Sequence, residues 1–175
     1  MSSIDLVILG MVLERPQSAY DLQKDVEYHH LSRWTKISVP SVYKKVLQLK
    51  EQGYLQSKSV KGNKAADKAI YEITDAGRDY FARLMEHYAT QQISFLFDFN
   101  VVITNLNKVE KPQALELITK LRENIAASAR LSGEHARENS AIPLVGRTIF
   151  DQQRMLYGAL SQWLDTFEAG FKAGD

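Results

Sequence analysis

One stretch constrains the fold of this chain more than any other: residues 38–68, SVPSVYKKVLQLKEQGYLQSKSVKGNKAADK. Val42, Val46 and Leu49 recur at i, i+4 and i+7, so one side of a helix over residues 38–52 must face a core. Ser38 is the expected cap, and Pro40 falls in the first turn, where backbone amides have no intrahelical acceptor. Gly53 is the expected left-handed stop. Residues 54–60 and 69–73 read as strands, with alternation clearest in Ile70 and Glu72 against Tyr71 and Ile73. Between them, Lys61-Gly62-Asn63-Lys64 is turn chemistry with two bases at its tip. A helix followed directly by a basic two-stranded hairpin is what a winged-helix domain presents to a DNA groove and its phosphates.

The formal net charge of +1 hides a division along the chain. Residues 1–32 carry a balance of −3, residues 33–68 carry nine bases against Glu51 and Asp67 for a balance of +7, and the remainder returns −3. A basic segment in a near-neutral protein is a local footprint for a polyanion. Ser41, Lys44, Lys45 and Gln48 are expected to face outward, with Tyr43 near the boundary, and no acid joins them before Glu51. Hydroxyls, ammonium groups and a polar-tipped aromatic reach phosphates and base edges together. With Lys36 and Ser38 at the helix start, and Lys58, Lys61, Asn63 and Lys64 on the hairpin, these are the candidate contacts to double-stranded DNA. A merely solvated lysine-rich face is the plain alternative; the coincidence of bases with helix and hairpin weighs against it.

Upstream, Ile4, Ile8, Met11 and Val12 give a mostly buried first helix that Pro16 ends. Ser18 followed by Asp21 is a capping-box-like start for a second helix with Ala19, Leu22 and Val26 on its apolar side. Trp34 falls in the connector, as a lid over a small core. Downstream, Thr74 is the next cap, and Tyr80, Phe81, Leu84, Met85 and Tyr88 give that helix a wide apolar face.

Together, ILGMVL at residues 8–13, Ala19-Tyr20-Asp21-Leu22, Ser41-Val42-Tyr43, Gln52-Gly53-Tyr54-Leu55 and the run IYEITDAGR at residues 70–78 resemble the PadR family of bacterial transcriptional regulators. The chain departs from the family pattern at Ser18-Ala19, where members commonly have His-Gly, and at Val39-Pro40, where they have Pro-Gly. The resemblance implies a mainly α fold: a winged helix-turn-helix DNA-binding domain with a two-stranded β wing over residues 1–90, and a C-terminal α-helical dimerisation domain over residues 91–175. It also implies a homodimeric repressor on a palindromic operator.

In the second half, residues 91–106 are densely apolar, with Phe95, Phe97 and Phe99 alternating, a pattern that fits strand or buried helix. Helix is expected, because no turn residue separates this run from the preceding helix. Pro112 opens a long helix striped by Leu115, Ile118, Leu121 and Ile125 that reaches about His135. Residues 139–146 read as a loop, and residues 147–173 as a last helix in which Ile149, Leu156, Leu160, Trp163, Phe167 and Phe171 approximate a heptad seam. Such a seam points to a homodimer, which would read two half-sites; an intramolecular hairpin is the competing reading. The resemblance further implies a cavity for a small aromatic effector, with Phe95, Phe97, Phe99 and Trp163 as its candidate lining. Aromatic residues at such spacing more often serve as core.

There is no cysteine, which removes disulfides and thiolate chemistry and suits a reducing cytoplasm. The four histidines show no metal-type spacing, and no phosphate loop, HExxH pair or GxSxG elbow occurs, so neither catalysis nor a metal or cofactor is expected. No stretch approaches the roughly 20 apolar residues that span a bilayer. The apolar run at residues 4–13 lacks a basic leader and a cleavage site, so a cytoplasmic location without membrane contact is expected. The alternative function is a winged-helix module that binds protein instead of DNA, whose recognition face would be acidic or apolar.

Overall fold

The structure, a computed structural model, describes residues 2–33, 35, 37–60, 68–138 and 143–174. The chain divides into two units, Met1–Ser94 and Phe95–Asp175.

The first unit runs α1 (Ser3–Glu14), α2 (Ala19–Tyr28), a 3₁₀ turn (Leu31–Arg33), α3 (Ser41–Glu51), β1 (Leu55–Val60), β2 (Lys68–Ile73) and α4 (Asp75–Thr90). Helix α1 packs against α3, α4 and β2, which explains why it is apolar on nearly every side. Ile8 and Leu9 of α1, Leu22 and Val26 of α2, the Val42-Val46-Leu49 stripe of α3 and Leu84 of α4 are fully buried in one core. Each such side chain contributes about 1.5–3 kcal/mol relative to exposure.

Caps set the helix boundaries. The Ser18 hydroxyl accepts from the Asp21 amide and opens α2, and the Thr74 hydroxyl accepts from the Gly77 amide and opens α4. Helix α3 starts at Ser41, later than the spacing predicts, and Ser38 is not its cap. Instead the Ser38 carbonyl accepts from both the amide and the hydroxyl of Ser41, and Pro40 stands at the N-cap position with φ −61°. The proline pre-sets a helical turn before the helix proper, so the residue expected inside the first turn precedes it. At the other end the Tyr54 amide donates to the Leu49 carbonyl and the Gly53 amide to the Lys50 carbonyl, with Gly53 at φ 79°, a Schellman closure.

That closure feeds straight into the hairpin. Strands β1 and β2 pair antiparallel from Leu55↔Ile73 to Val60↔Lys68, and Gln17 adds a bridge to Tyr71 that ties the α1–α2 connection to the sheet. The root of the hairpin is held by Thr74, whose amide and hydroxyl each lie 3.1 Å from the Tyr54 carbonyl oxygen. Residues 61–67, and with them the basic turn, lie outside the described residues, as does Trp34.

The second unit contains α5 (Asn100–Ile103), a 3₁₀ turn (Leu106–Lys108), α6 (Lys111–Glu138) and α7 (Leu144–Ala173). Arg122 pairs with Asp165 and Glu168, and Ser132 with Gln153, so α6 and α7 run antiparallel. Their core joins Leu106, Ala114, Ile118, Leu121, Ile125 and Leu164.

Two expectations are corrected here. Residues 91–106 are not one helix: α4 ends at Thr90, residues 92–97 have no regular structure, and only Asn100–Ile103 is α-helical. Phe95 and Phe97 lie in this irregular stretch and Phe99, with φ −63° and ψ −16°, stands at the N-cap of α5, and the three rings stack in succession. Residues 144–146 are not loop; they form the first turn of α7 behind Pro143, whose carbonyl accepts from the Gly146 and Arg147 amides. Residues 139–142 lie outside the described residues.

Candidate nucleic-acid interface

Helices α2 and α3 form the helix-turn-helix, and burial of Val42, Val46 and Leu49 decides which side of α3 remains available. Tyr43 is 55% exposed, and Lys44, Leu47 and Lys50 are exposed with it. Leu47 and Lys50 were missed by the sequence reading, although they follow Tyr43 at i+4 and i+7 and share its face. Burial, and after it the neighbouring Tyr43, pushes the Tyr71 phenol up. Ser41 and Gln48 are only half-exposed, and the Ser41 hydroxyl is spent on the Ser38 carbonyl.

Lys45 does not face outward as expected. Its ammonium lies 3.1 Å from Oδ1 of Asp5 in α1, with side-chain exposures of 27% for the lysine and 6% for the aspartate. The approach is an ion pair whose angles fall outside hydrogen-bond geometry. The other carboxylate oxygen accepts from the Tyr80 hydroxyl of α4 at 3.1 Å. Burial first, then the Asp5 charge, pushes that phenol up to about 12. The i+3 offset from Val42 makes Lys45 look peripheral, but the deciding partner is the buried acid of an apolar helix far away in sequence.

On the hairpin, Lys58 is exposed and pairs with Glu72 at 2.8 Å; that ammonium, with Gln56 beside it, holds the Glu72 carboxyl below its usual range. Lys68 pairs with Asp21 at 2.7 Å, and its hydrogen bond holds that carboxyl down as well. Thus Lys45, Lys58 and Lys68 are each compensated by an acid from outside residues 33–68, and the +7 of that segment overstates its field. Lys44 and Lys50 carry no ion pair among the described residues. Lys36, Lys61, Asn63 and Lys64 lie outside the described residues.

Residues 8–83, which span α1 through most of α4, match the model of the transcriptional regulator PadR-like family. This segment is a PadR-like regulator domain. No curated protein matches the chain by sequence. Among solved structures, PadR of Bacillus subtilis in complex with operator DNA is similar, with a TM-score of 0.78, 14% identity and coverage of 96% of this chain and 98% of that one. The virulence activator AphA of Vibrio cholerae is similar at TM-score 0.69 and 20% identity, over 98% and 99% of the two chains. So is the PadR-like regulator BC1756 of Bacillus cereus, at TM-score 0.62 and 22% identity, over 95% and 93%. At these identities the likeness is one of fold, and it extends through the second unit.

In the second unit, the effector candidates come together as a ladder of rings. Phe95, Phe97, Phe99, Trp163, Phe167 and Phe171 succeed one another with centroid separations of 6.4, 5.2, 5.9, 6.0 and 5.9 Å. The ladder is separate from a groove of about 330 Å³ between α6 and α7, lined by Ser132, Gly133, Phe150, Arg154, Tyr157 and Gly158 among others. The α7 seam is divided. Leu160, Phe167 and Phe171 pack onto the unit's own core, Ile149 is half-buried, and Leu156 and Trp163 stay 36% and 37% exposed. The fully buried residue of α7 is Leu164, which the heptad reading passed over. Among the described residues there is no metal-type cluster, and no helix is long and apolar enough to cross a membrane.

Proposed function

We propose that this PadR-like regulator is a homodimeric repressor that binds a palindromic operator, with α3 in the major groove. The observation that carries the reading is the outward face of α3, where Tyr43, Lys44 and Lys50 stand exposed, with no acid on the helix before Glu51. Tyr43 and Lys44 meet base edges and adjacent phosphates, and Lys58, Lys61, Asn63 and Lys64 hold flanking backbone. Exposed pairs such as Lys58–Glu72 are weak, so a phosphate can take the carboxylate's place. The solved complex of B. subtilis PadR with operator DNA, a fold neighbour, supports the same use of this fold here.

Dimerisation is supported by the apolar surface on α6 and α7, where Leu131, Leu144, Val145, Met155, Leu156 and Trp163 remain exposed. A second copy covers it and supplies the second half-site. B. subtilis PadR also has a solved complex with p-coumaric acid, and the Phe95–Phe171 ladder is the surface we assign to a flat aromatic effector in this chain. The function places the protein in the cytoplasm and leaves it no catalytic role.

The test is footprinting and gel shift on the DNA upstream of its own gene at two salt concentrations, with and without a phenolic acid. Selective protection of a two-fold site is expected, released by the acid. Tyr43→Ala costs more on the protected site than on random DNA, whereas Lys64→Ala weakens both alike and lowers the salt slope by about one. Equal losses on both DNAs for Tyr43→Ala remove its reading role. Because AphA is an activator, a reporter decides the sign: rising transcription on deletion of the gene marks a repressor.

A further inference from the structure

Asp5 is a buried acid in a helix whose other buried residues are Ile4, Ile8, Leu9 and Val12. Burying a carboxylate is costly unless it is paired, and removing one partner of such a pair costs more than the pair contributes. Its neighbours come from two further helices: the Lys45 ammonium of α3 on Oδ1 and the Tyr80 hydroxyl of α4 on Oδ2. The Tyr80 ring in turn stacks on Tyr54 at the hairpin root, with centroids 4.3 Å apart and planes 19° from parallel. One carboxylate therefore ties together α1, the recognition helix, α4 and the base of the wing.

Successive helix residues are turned by about 100°, so holding Lys45 against α1 fixes where Lys44 and Tyr43 point. It also withholds charge. An ammonium free to swing onto a phosphate adds affinity for every DNA sequence equally. Lys58 and Lys68 pair with acids that are 27% and 37% exposed and can exchange them for phosphate, whereas Lys45 can leave only by stranding a carboxylate that is 6% exposed.

We infer that Asp5 is a positioning residue for sequence discrimination: it seats the recognition helix through Lys45 and keeps that ammonium off the DNA backbone. This rests on the DNA-binding reading above. Neither Asp5 nor Lys45 touches DNA in this arrangement. Loss of the Asp5 charge releases Lys45, which gains non-specific affinity while the seat of α3 loosens.

The experiment uses the full chain and two duplexes of equal length, one selected by the wild-type protein from a random pool and one scrambled. Binding is measured across a salt series. For Asp5→Asn, the slope of log K against log salt steepens by about 0.9 on both duplexes, and the selected-to-scrambled affinity ratio falls several-fold. Lys45→Met leaves the wild-type slope unchanged while the ratio falls, and the double variant Asp5→Asn with Lys45→Met returns the slope to the wild-type value. A Lys45→Met slope shallower by about 0.9 means the ammonium already sits on phosphate and overturns the inference. So does an Asp5→Asn protein with wild-type slope and ratio, or one whose affinities drop together in proportion to its folded fraction. Should Asp5→Asn not fold, Lys45→Met alone decides between the same outcomes. A wild-type chain that selects no duplex and shows no salt-dependent binding sinks the DNA-binding reading itself, a result distinct from all of these.

Discussion

Gly77→Ala tests how the wing is fixed to the helices. A Cβ built at Gly77 would lie 2.1 Å from the Tyr54 carbonyl oxygen and 2.8 Å from Cγ1 of Ile73, so something must move by about an ångström. The nearest atom is backbone, and it cannot swing away, because the same Tyr54 oxygen is held by the amide and hydroxyl of Thr74. Overpacking of this kind costs about 1–3 kcal/mol, and each hydrogen bond lost adds about 1 kcal/mol. Against this, alanine in a helix gains about 0.5–1 kcal/mol over glycine. The net expectation is a loss of about 2 kcal/mol, which lowers Tm by roughly 8–16 °C for a unit of this size. The assay is thermal and urea unfolding followed by circular dichroism, with Gly170→Ala as the comparison. Gly170 lies in α7 with nothing within 4 Å of its built Cβ, so there alanine is expected to stabilise. If Gly77→Ala raises the midpoint as Gly170→Ala does, the close approach of Tyr54 to α4 is not a constraint and the account of the wing root fails.

Leu164→Ala removes the fully buried side chain of α7 and is expected to cost about 2–5 kcal/mol in urea unfolding; a cost under about 1 kcal/mol means that α6 and α7 do not form a packed core there. Tyr80, with its phenol pushed from 10 up to about 12, makes stability pH-dependent at the alkaline end. Its raised folded value contributes stability below about pH 10 that is lost as pH rises toward 12, so the gap in urea midpoint between the wild type and Tyr80→Phe narrows between pH 8 and 11. A constant gap shows that the Tyr80 environment does not favour the neutral phenol.

What the sequence made legible was local chemistry. Ser18 and Thr74 cap because a hydroxyl three residues before an amide needs no knowledge of the rest of the chain. The Val42-Val46-Leu49 stripe and the Gly53 stop follow from helix period and from one residue's tolerance of positive φ. What stayed hidden was decided across the chain. Nothing within residues 38–52 says that Lys45 turns inward, because its partner sits in α1; the available signal was Asp5 itself, a charge where every neighbour is apolar. In residues 91–106 the alternation of Phe95, Phe97 and Phe99 argued against one continuous helix, yet continuity with α4 favoured it. On α7 a period of seven follows the exposed side as readily as the buried one, and so it selected Leu156 and Trp163 and skipped Leu164.

The charge division along the chain has a different meaning once its partners are known. Counted by sequence, residues 33–68 form a block of +7 against flanks that cancel it. In the fold, acids of those flanks, Asp5, Asp21 and Glu72, return to sit on Lys45, Lys68 and Lys58. The cancellation is therefore local, and it sorts the lysines by how firmly each is held. Lys44 and Lys50 are available at once, Lys58 and Lys68 can trade a partly exposed carboxylate for a phosphate, and Lys45 is anchored to a buried one. A polyanion that docks on α3 meets a graded surface: contacts that recruit any DNA are displaceable, and the contact that orients the helix is not.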